Sequence, residues 1–326
     1  MNETEFDLFC VGNALVDVFA GADEELCDRY GITDPVQHIE IKKLAAILPA
    51  LPEYTVVSGG GAANVAKIAG FLGAKVSFTG SIGMDGRPDH FGRFFEKDLT
   101  ATGVKLSLKI KQLPTGICLV LRIGTDKTRI AASPSASQEL SEDDINKEDI
   151  KKTKLVVVDG FMLWRPNLVS HILRLAGKHG KPATLDLSSP EIAREQAGKI
   201  AEYARQYPLI LFMNEEEAEA FHAGLNPTNE PFESFFRSFT IGAPWPIIAV
   251  KLGSRGSICF AEGESYKNET KAINAYETTG AGDAFCAGFL AAWVRNKPIS
   301  ECAALGNETA ALVLGAEGSQ IGKPRM

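Results

Sequence analysis

Apolar residues along the chain fall into short runs, and stretches with helical spacing separate them. Phe6 to Val11 is mostly apolar and stops at Gly12, as expected of a buried strand. Tyr54 to Val57 is followed by Gly59-Gly60-Gly61, a helix from Ala62 to about Leu72 with Gly73 as its cap, and an apolar run from Lys75 to Gly80. Strand, glycine loop, helix and strand in that order mark a parallel sheet. Alternation resumes further on. Leu155 to Val158, Ala183 to Leu187, Leu209 to Met213 and Ile247 to Lys251 read as strands. Asn167 to Lys178, Pro190 to Gln206 and Glu215 to Phe221 read as the intervening helices, and Pro190 sits at a helix start, where proline is tolerated. Gly253 and Gly256 turn the chain into Ser257 to Ala261. Two small-residue helices, about 280–295 and 300–315, follow. With right-handed crossovers this pattern predicts an α/β fold: a mostly parallel sheet in a three-layer α/β/α arrangement.

Two regions break the alternation. Residues 13–45 are mixed and carry Asp, Gly and Pro. Residues 106–132 alternate apolar with polar, as at Ile117, Leu119, Leu121 and Ile123, which predicts half-buried antiparallel strands. Segments 13–45 and 108–132 are therefore expected to form a small extra sheet over the C-terminal edge of the main strands, where such sheets bind ligands. Ser141 with Glu142-Asp143-Asp144 reads as an N-cap before a short charged helix. With no repeat and no long linker, the expectation is one domain over residues 1–326 with this appendage.

Composition narrows the function. A net charge of −7 argues against a general affinity for nucleic acid or an anionic membrane, so any phosphate site must be local. The six cysteines include no C-x-x-C pair, which suits a reducing cytoplasm rather than a disulfide framework or a zinc site. The five histidines show no metal-ligand spacing. The start, Met1 to Asp7, is acidic and lacks a signal-peptide core, and no apolar run approaches the length of a membrane span.

Five clusters carry candidate chemistry. Thr278-Thr279-Gly280-Ala281-Gly282-Asp283 precedes an apolar helix, so the backbone N–H groups of Gly280, Ala281 and Gly282 suit an anion. Asp283 is out of place in an anion site unless it takes a proton from a hydroxyl that then attacks phosphorus; the competing reading is a helix-start acid. Gly12-Asn13-Ala14-Leu15-Val16-Asp17 follows the first strand, and a carboxylate there suits a sugar diol, although an Asx turn explains it equally well. Ser58 to Asn64 contains Gly60 and Gly61, which let a polar ligand touch backbone, and Asn64 can donate and accept. Asn214-Glu215-Glu216-Glu217 opens a helix. Asn214 and Glu217 lie on one face and suit magnesium, directly or through water; the alternative is an N-cap with first-turn acids. Lys251-Leu252-Gly253-Ser254-Arg255-Gly256 is a tight turn suited to bordering a nucleotide. There is no G-x-x-x-x-G-K-[ST], and Phe285 stands where a dinucleotide fingerprint needs a small residue.

Taken together, in order and over nearly the whole chain, these clusters resemble the ribokinase-like (PfkB) family of carbohydrate and nucleoside kinases. The match rests on Gly59-Gly60 to Asn64, Ile82-Gly83 to Gly103-Val104, Asn214-x-x-Glu217, Lys251 to Gly256, and Thr278 to Asp283. The resemblance implies an ATP-dependent phosphotransferase with a sugar or nucleoside alcohol as acceptor. Asp283 would be its general base, and Gly280, Ala281 and Gly282 its anion hole. It implies that Asn214 and Glu217 position magnesium, and that Asn13, Asp17, Gly60, Gly61 and Asn64 bind the acceptor. Lys251, Gly253, Gly256, Thr279 and Asn307 would line the ATP side. Ala316-Glu317-Gly318-Ser319 falls where many members hold a monovalent cation such as K+, and the extra sheet would be the family's lid. Three positions depart from the pattern: Glu277 replaces an Asp before the Thr-Thr pair, Lys251 stands where ribokinases often have Thr, and either Asp85 or Asp89 matches the family acid of that segment.

Asn13-x-x-x-Asp17 and Gly160-Phe161 look more like the adenosine kinase branch than ribokinase. Phe161 either stacks on a base or belongs to the core. Adenosine as the acceptor is one alternative. A catalytically silent sugar- or nucleotide-binding regulator on the same fold is another, and the intact Asp283 with its glycines argues against it. Monomer and homodimer are both open, since a lid edge can pair between chains or close over substrate.

Overall fold

The computed structural model describes residues 4–85, 87–124, 127–225, 230–242, 244, 246–270 and 280–314. In chain order the strands are β1 (Phe6–Val11), β2 (Leu15–Ala22), β3 (Val36–His38), β4 (Thr55–Gly59), β5 (Val76–Gly83), β6 (Lys105–Lys111), β7 (Thr115–Ile123), β8 (Lys127–Ser135), β9 (Thr153–Val158), β10 (Ala183–Asp186), β11 (Leu209–Asn214), β12 (Ile247–Lys251), β13 (Ser257–Ala261) and β14 (Glu264–Asn268). They form a nine-stranded sheet, ordered β14-β13-β12-β11-β10-β9-β1-β5-β6, and a five-stranded sheet, ordered β3-β8-β7-β2-β4. In the larger sheet every pairing from β12 to β6 is parallel, and β13 and β14 add an antiparallel edge.

The two-residue period of the strands builds the layers. Phe9, Val156, Val158, Leu185 and Leu211 point into one core, with Leu168, Ile172, Ile200 and Phe221 from the helices Pro166–Lys178, Ala197–Gln206 and Glu215–Leu225. Their neighbours Leu8, Cys10, Leu155, Val157, Ile210 and Phe212 point into the other. There they meet Ala66 of Gly61–Phe71, Phe95 of His90–Thr100, Phe289 of Ala281–Trp293 and Cys302 of Ile299–Val313. Both faces of the sheet are therefore covered, as parallel sheets require. Val16 and Val18 of β2, with Ile117 and Leu119 of β7, pack a separate core against Cys27, Leu44 and Ile47. Asp17, Phe19 and Cys118 alternate with them on the opposite face of the small sheet. No helix among the described residues is long and apolar enough to cross a membrane.

Two elements fall elsewhere than the pattern suggests. The strand before the glycine loop, β4, pairs antiparallel with β2 in the small sheet, not in the parallel one. The chain crosses between sheets at Gly60, and the strand–loop–helix–strand pattern reads the same either way. The alternating stretch that begins near residue 106 opens with β6, which pairs parallel to β5 at the edge of the large sheet. Alternation reports half-burial, which an edge strand shares with an antiparallel one, and says nothing of direction. The expected helix Pro190 to Gln206 is two, Pro190–Glu195 and Ala197–Gln206, parted at Gln196.

Candidate active site

Five neighbouring strands of the large sheet end in, or just before, a polar residue. Asn13 follows β1, Asp159 follows β9, Asp186 ends β10, Asn214 ends β11 and Lys251 ends β12. All lie at the C-terminal edge. Asn13 and Asp159 flank the switch point, where the chain leaves β1 for β5 on one side and returns at β9 on the other.

Asp17 stands on β2 of the small sheet, facing Gly59, where an added Cβ would lie 2.5 Å from its carboxylate. Burial pushes its pKa up to about 6, against the pull of Lys67 and of a hydrogen bond from the Cys118 thiol. Lys67 is buried and donates to the Ser58 carbonyl and hydroxyl at 3.2 and 2.9 Å, and Ser58 Oγ bonds Asp98 at 2.6 Å. Gly60 has φ 102, and a Cβ there would collide with the Asn13 carbonyl oxygen, so only glycine brings the loop this close to the end of β1.

Helices Gly61–Phe71 and Ala281–Trp293 aim their N-termini at the same point. Gly280, with φ 82, turns the chain into the second of these, and Ala284 N donates to its carbonyl, so the N–H groups of Ala281, Gly282 and Asp283 belong to an open first turn. Asn64 Nδ2 donates to Asp283 Oδ2 at 2.8 Å, and the other carboxylate oxygen stands 3.5 Å from where a Cβ of Gly61 would be. Burial raises the Asp283 pKa to about 7; Asn64 opposes this and Asp186 adds to it.

Beyond Asp283 lies a cluster of charge. Lys251 Nζ bonds Asp186 Oδ2 at 2.7 Å, and the Cys286 thiol donates to the same oxygen at 3.2 Å. Asn214 and Glu217 hold each other: Asn214 N and Nδ2 donate to Glu217 at 2.8 and 3.1 Å, and Glu217 N donates to Asn214 Oδ1 at 2.8 Å. This is capping-box geometry at the start of Glu215–Leu225. Burial, then repulsion from Asp186, lifts the Glu217 pKa to about 7.

A carboxylate poised near neutrality between an open helix start and a polar loop can accept a proton from a hydroxyl. The open turn can accept an anion.

A model of the pfkB family of carbohydrate kinases matches residues 30–326. The chain belongs to that family. Adenosine kinase 1 of Arabidopsis thaliana is 28% identical over 341 residues, which cover 98% of this chain and 97% of that one. An ATP-dependent ribose-1-phosphate kinase of Halopiger xanaduensis is 26% identical over 264 residues, 80% of this chain and 82% of that one. The structure of adenosine kinase from Sinorhizobium meliloti superposes with a TM-score of 0.84 at 24% identity, covering 97% of this chain and 96% of that one. The chain is thus an ATP-dependent kinase of a sugar or nucleoside, with adenosine kinases among its relatives.

In this pfkB protein the structure brings Asn13 against Gly60, Asp17 against Gly59, and Gly61 and Asn64 against Asp283, with Lys251 and its partner Asp186 next to Gly282 and Asn214 paired with Glu217. Asn307 Nδ2 donates to the Asn268 carbonyl at 3.1 Å, and a Cβ on Gly256 would strike that same oxygen, so Gly256 and Asn307 share one corner with the exposed Gly253 next to it. Lys251 points away from that corner, toward Gly282. Phe161 is 43% exposed, which removes the reading of it as a core aromatic. Asp89 caps His90–Thr100 through Gly92 N and also accepts from Thr115 N and Oγ1, each at 2.7 Å, so it and not the exposed Asp85 organises that segment. Thr279, Glu277 and Ala316 to Ser319 lie outside the described residues.

Sequence reasoning missed Asp159, Arg165 and Asp186. Asp159 accepts from Asn13 N at 3.3 Å and Phe161 N at 2.9 Å, and burial raises its pKa against those bonds. Arg165 donates to the Ser137 carbonyl at 2.9 Å and reaches Asn13 Oδ1 at 3.4 Å. The available signal was an acid closing an apolar run, Val158-Asp159 and Leu185-Asp186, at the strand end where ligands bind.

Proposed function

We propose that this kinase transfers the γ-phosphoryl group of ATP to a hydroxymethyl group of a nucleoside, with Asp283 as general base. The observation that carries this reading is the Asp283 carboxylate itself. It is held by Asn64 at 2.8 Å, close to Gly61, in the first turn of an open helix start, with its pKa raised to about 7 by burial. A base with that pKa is half ionised at neutral pH and is matched to an alcohol whose proton leaves as phosphorus arrives. Asp17 would accept from the sugar hydroxyls, and Asn13, Gly60 and Gly61 would border them. The N–H groups of Ala281 and Gly282 would hold the moving phosphoryl group. Gly253, Gly256 and Asn307 would border the nucleotide.

Magnesium fits the donor side. Asp186 and Glu217 are carboxylates close enough for one to raise the pKa of the other, and they offer the oxygen donors this ion takes, directly or through water. When bound with ATP, the ion would neutralise charge on the phosphates.

A nucleoside acceptor is supported by the relatives named adenosine kinase and by the exposed ring of Phe161, which is free to stack on a base. A second reading, an anionic sugar, is favoured by the Arg165 guanidinium beside Asn13 and by the ribose-1-phosphate kinase relative. ADP release measured with ATP, magnesium and a panel of adenosine, other nucleosides, free ribose and ribose 1-phosphate separates the two. Turnover fastest with nucleosides is expected. Turnover with ribose 1-phosphate and none with nucleosides would replace the first reading by the second.

A further inference from the structure

Lys251 ends β12, and it is the cation of the cluster beside Asp283. Its side chain is only 16% exposed, and its ammonium bonds Asp186 Oδ2 at 2.7 Å. A Cβ built on Gly282 would stand 3.2 Å from that nitrogen. The ammonium therefore lies against the first turn of Ala281–Trp293, the turn whose N–H groups are open to an anion. Asp283 and Glu217 both feel its charge. Lys251 thus sets a lysine ammonium beside the Asp186 carboxylate and against the helix turn that carries the proposed base.

We propose that Lys251 is a catalytic residue: its ammonium contacts the γ-phosphoryl group of ATP and carries part of the negative charge while that group moves to the acceptor. The proposal rests on the phosphotransfer reading above and goes beyond it. A lysine ammonium is a compact point charge suited to a phosphate whose oxygens shift as the group transfers. The step balances without a proton from Lys251. The acceptor oxygen forms a bond to Pγ, the bond from Pγ to the β,γ-bridging oxygen breaks with its electron pair leaving on ADP, and the acceptor proton goes to Asp283. Besides its place among the magnesium donors, Asp186 holds the ammonium against Gly282 through its Oδ2.

The test uses the full chain with Lys251→Met and Lys251→Arg. Calorimetry with magnesium compares binding of β,γ-methylene-ATP with that of ADP, and ADP release gives kcat and the acceptor KM. Removing one preorganised donor to a developing charge costs on the order of 10²–10³-fold in kcat, below the roughly 10³–10⁵-fold of an arginine finger, and that is the range expected of Lys251. The expected result for Lys251→Met is a kcat lower by that factor, an acceptor KM within about threefold of the parent, and a preference for the ATP analogue over ADP that falls to about one, with Lys251→Arg recovering part of all three. A kcat and an analogue preference both within about threefold of the parent would overturn the proposal, as would a loss confined to the acceptor KM. If Lys251→Met does not fold, Lys251→Thr is measured with the same readouts, and the same results support or overturn the proposal. Should the parent chain form no ADP with any acceptor, the phosphotransfer reading fails. The analogue-to-ADP ratio still decides whether Lys251 touches the γ-phosphoryl group.

Discussion

On the small-sheet side of Asp283, the site is made by close approach of backbone. Gly59 faces the Asp17 carboxylate, Gly60 adopts φ 102 against the Asn13 carbonyl, and Asp17 is shifted mainly by burial. On the strand-end side, charge dominates. Asp186 raises the pKa of Glu217, and both carboxylates act on Lys251. The first side is shaped to receive hydroxyls, whereas the second carries an excess of carboxylate that a cation relieves. Asp283 touches both, through Asn64 on one side and the field of Asp186 and Lys251 on the other. The division implies that changes on the small-sheet side act on acceptor binding, and changes on the strand-end side act on the phosphoryl step and its metal.

That division can be broken by crossing two variants. Glu217→Gln is expected to raise the magnesium concentration needed for half-maximal rate by roughly 10–100-fold, the usual range for groups that orient a metal, with little change in acceptor KM. Asp17→Asn is expected to raise acceptor KM by roughly tenfold or more, since hydrogen bonds to a charged group contribute about 1.5–3 kcal/mol, and to leave the magnesium dependence alone. If Glu217→Gln moves acceptor KM instead, or Asp17→Asn moves the magnesium requirement, the two sides are not separable.

A smaller effect concerns stability. The folded-state pKa of Asp283, about 7, lies above its ordinary value of 3.8, and Asp17 and Glu217 are shifted the same way. Between those values the folded protein binds more protons than the unfolded chain, so the contribution is full at low pH and is lost as pH rises through about 7. Asn at position 283 removes this term. Thermal melts of the ligand-free protein should show Asp283→Asn and the parent close together near pH 4, with the variant melting a few degrees higher at pH 8. A variant that melts at or below the parent at pH 8 would mean that the carboxylate is not held at a cost.

Much of this arrangement is legible in the sequence, and what is not has physical causes. The strand–helix alternation and the turn before Asp283 announce themselves because apolar periodicity and glycine punctuation are local signals. The partner of β4 is not local. Thr55 to Gly59 can join either sheet, and only the approach of Gly60 to the Asn13 carbonyl decides which. Asp159 and Asp186 are hidden because a lone acid at the end of an apolar run looks like strand punctuation until five strand ends are set side by side. The same ordering gives Lys251 its place: it ends β12, two strands from Asp186 on β10, and a side chain of that length spans β11 to reach it.

The central claim is that Asp283 takes the acceptor proton and that the groups around it bind the ligands without its charge. The most direct test measures kcat of Asp283→Asn beside calorimetric binding of the acceptor and of β,γ-methylene-ATP with magnesium. Removal of a general base is expected to cost roughly 10²–10⁴-fold in kcat, with both affinities within about threefold of the parent. A near-parental kcat would contradict the account, and so would a loss of activity explained entirely by failed binding.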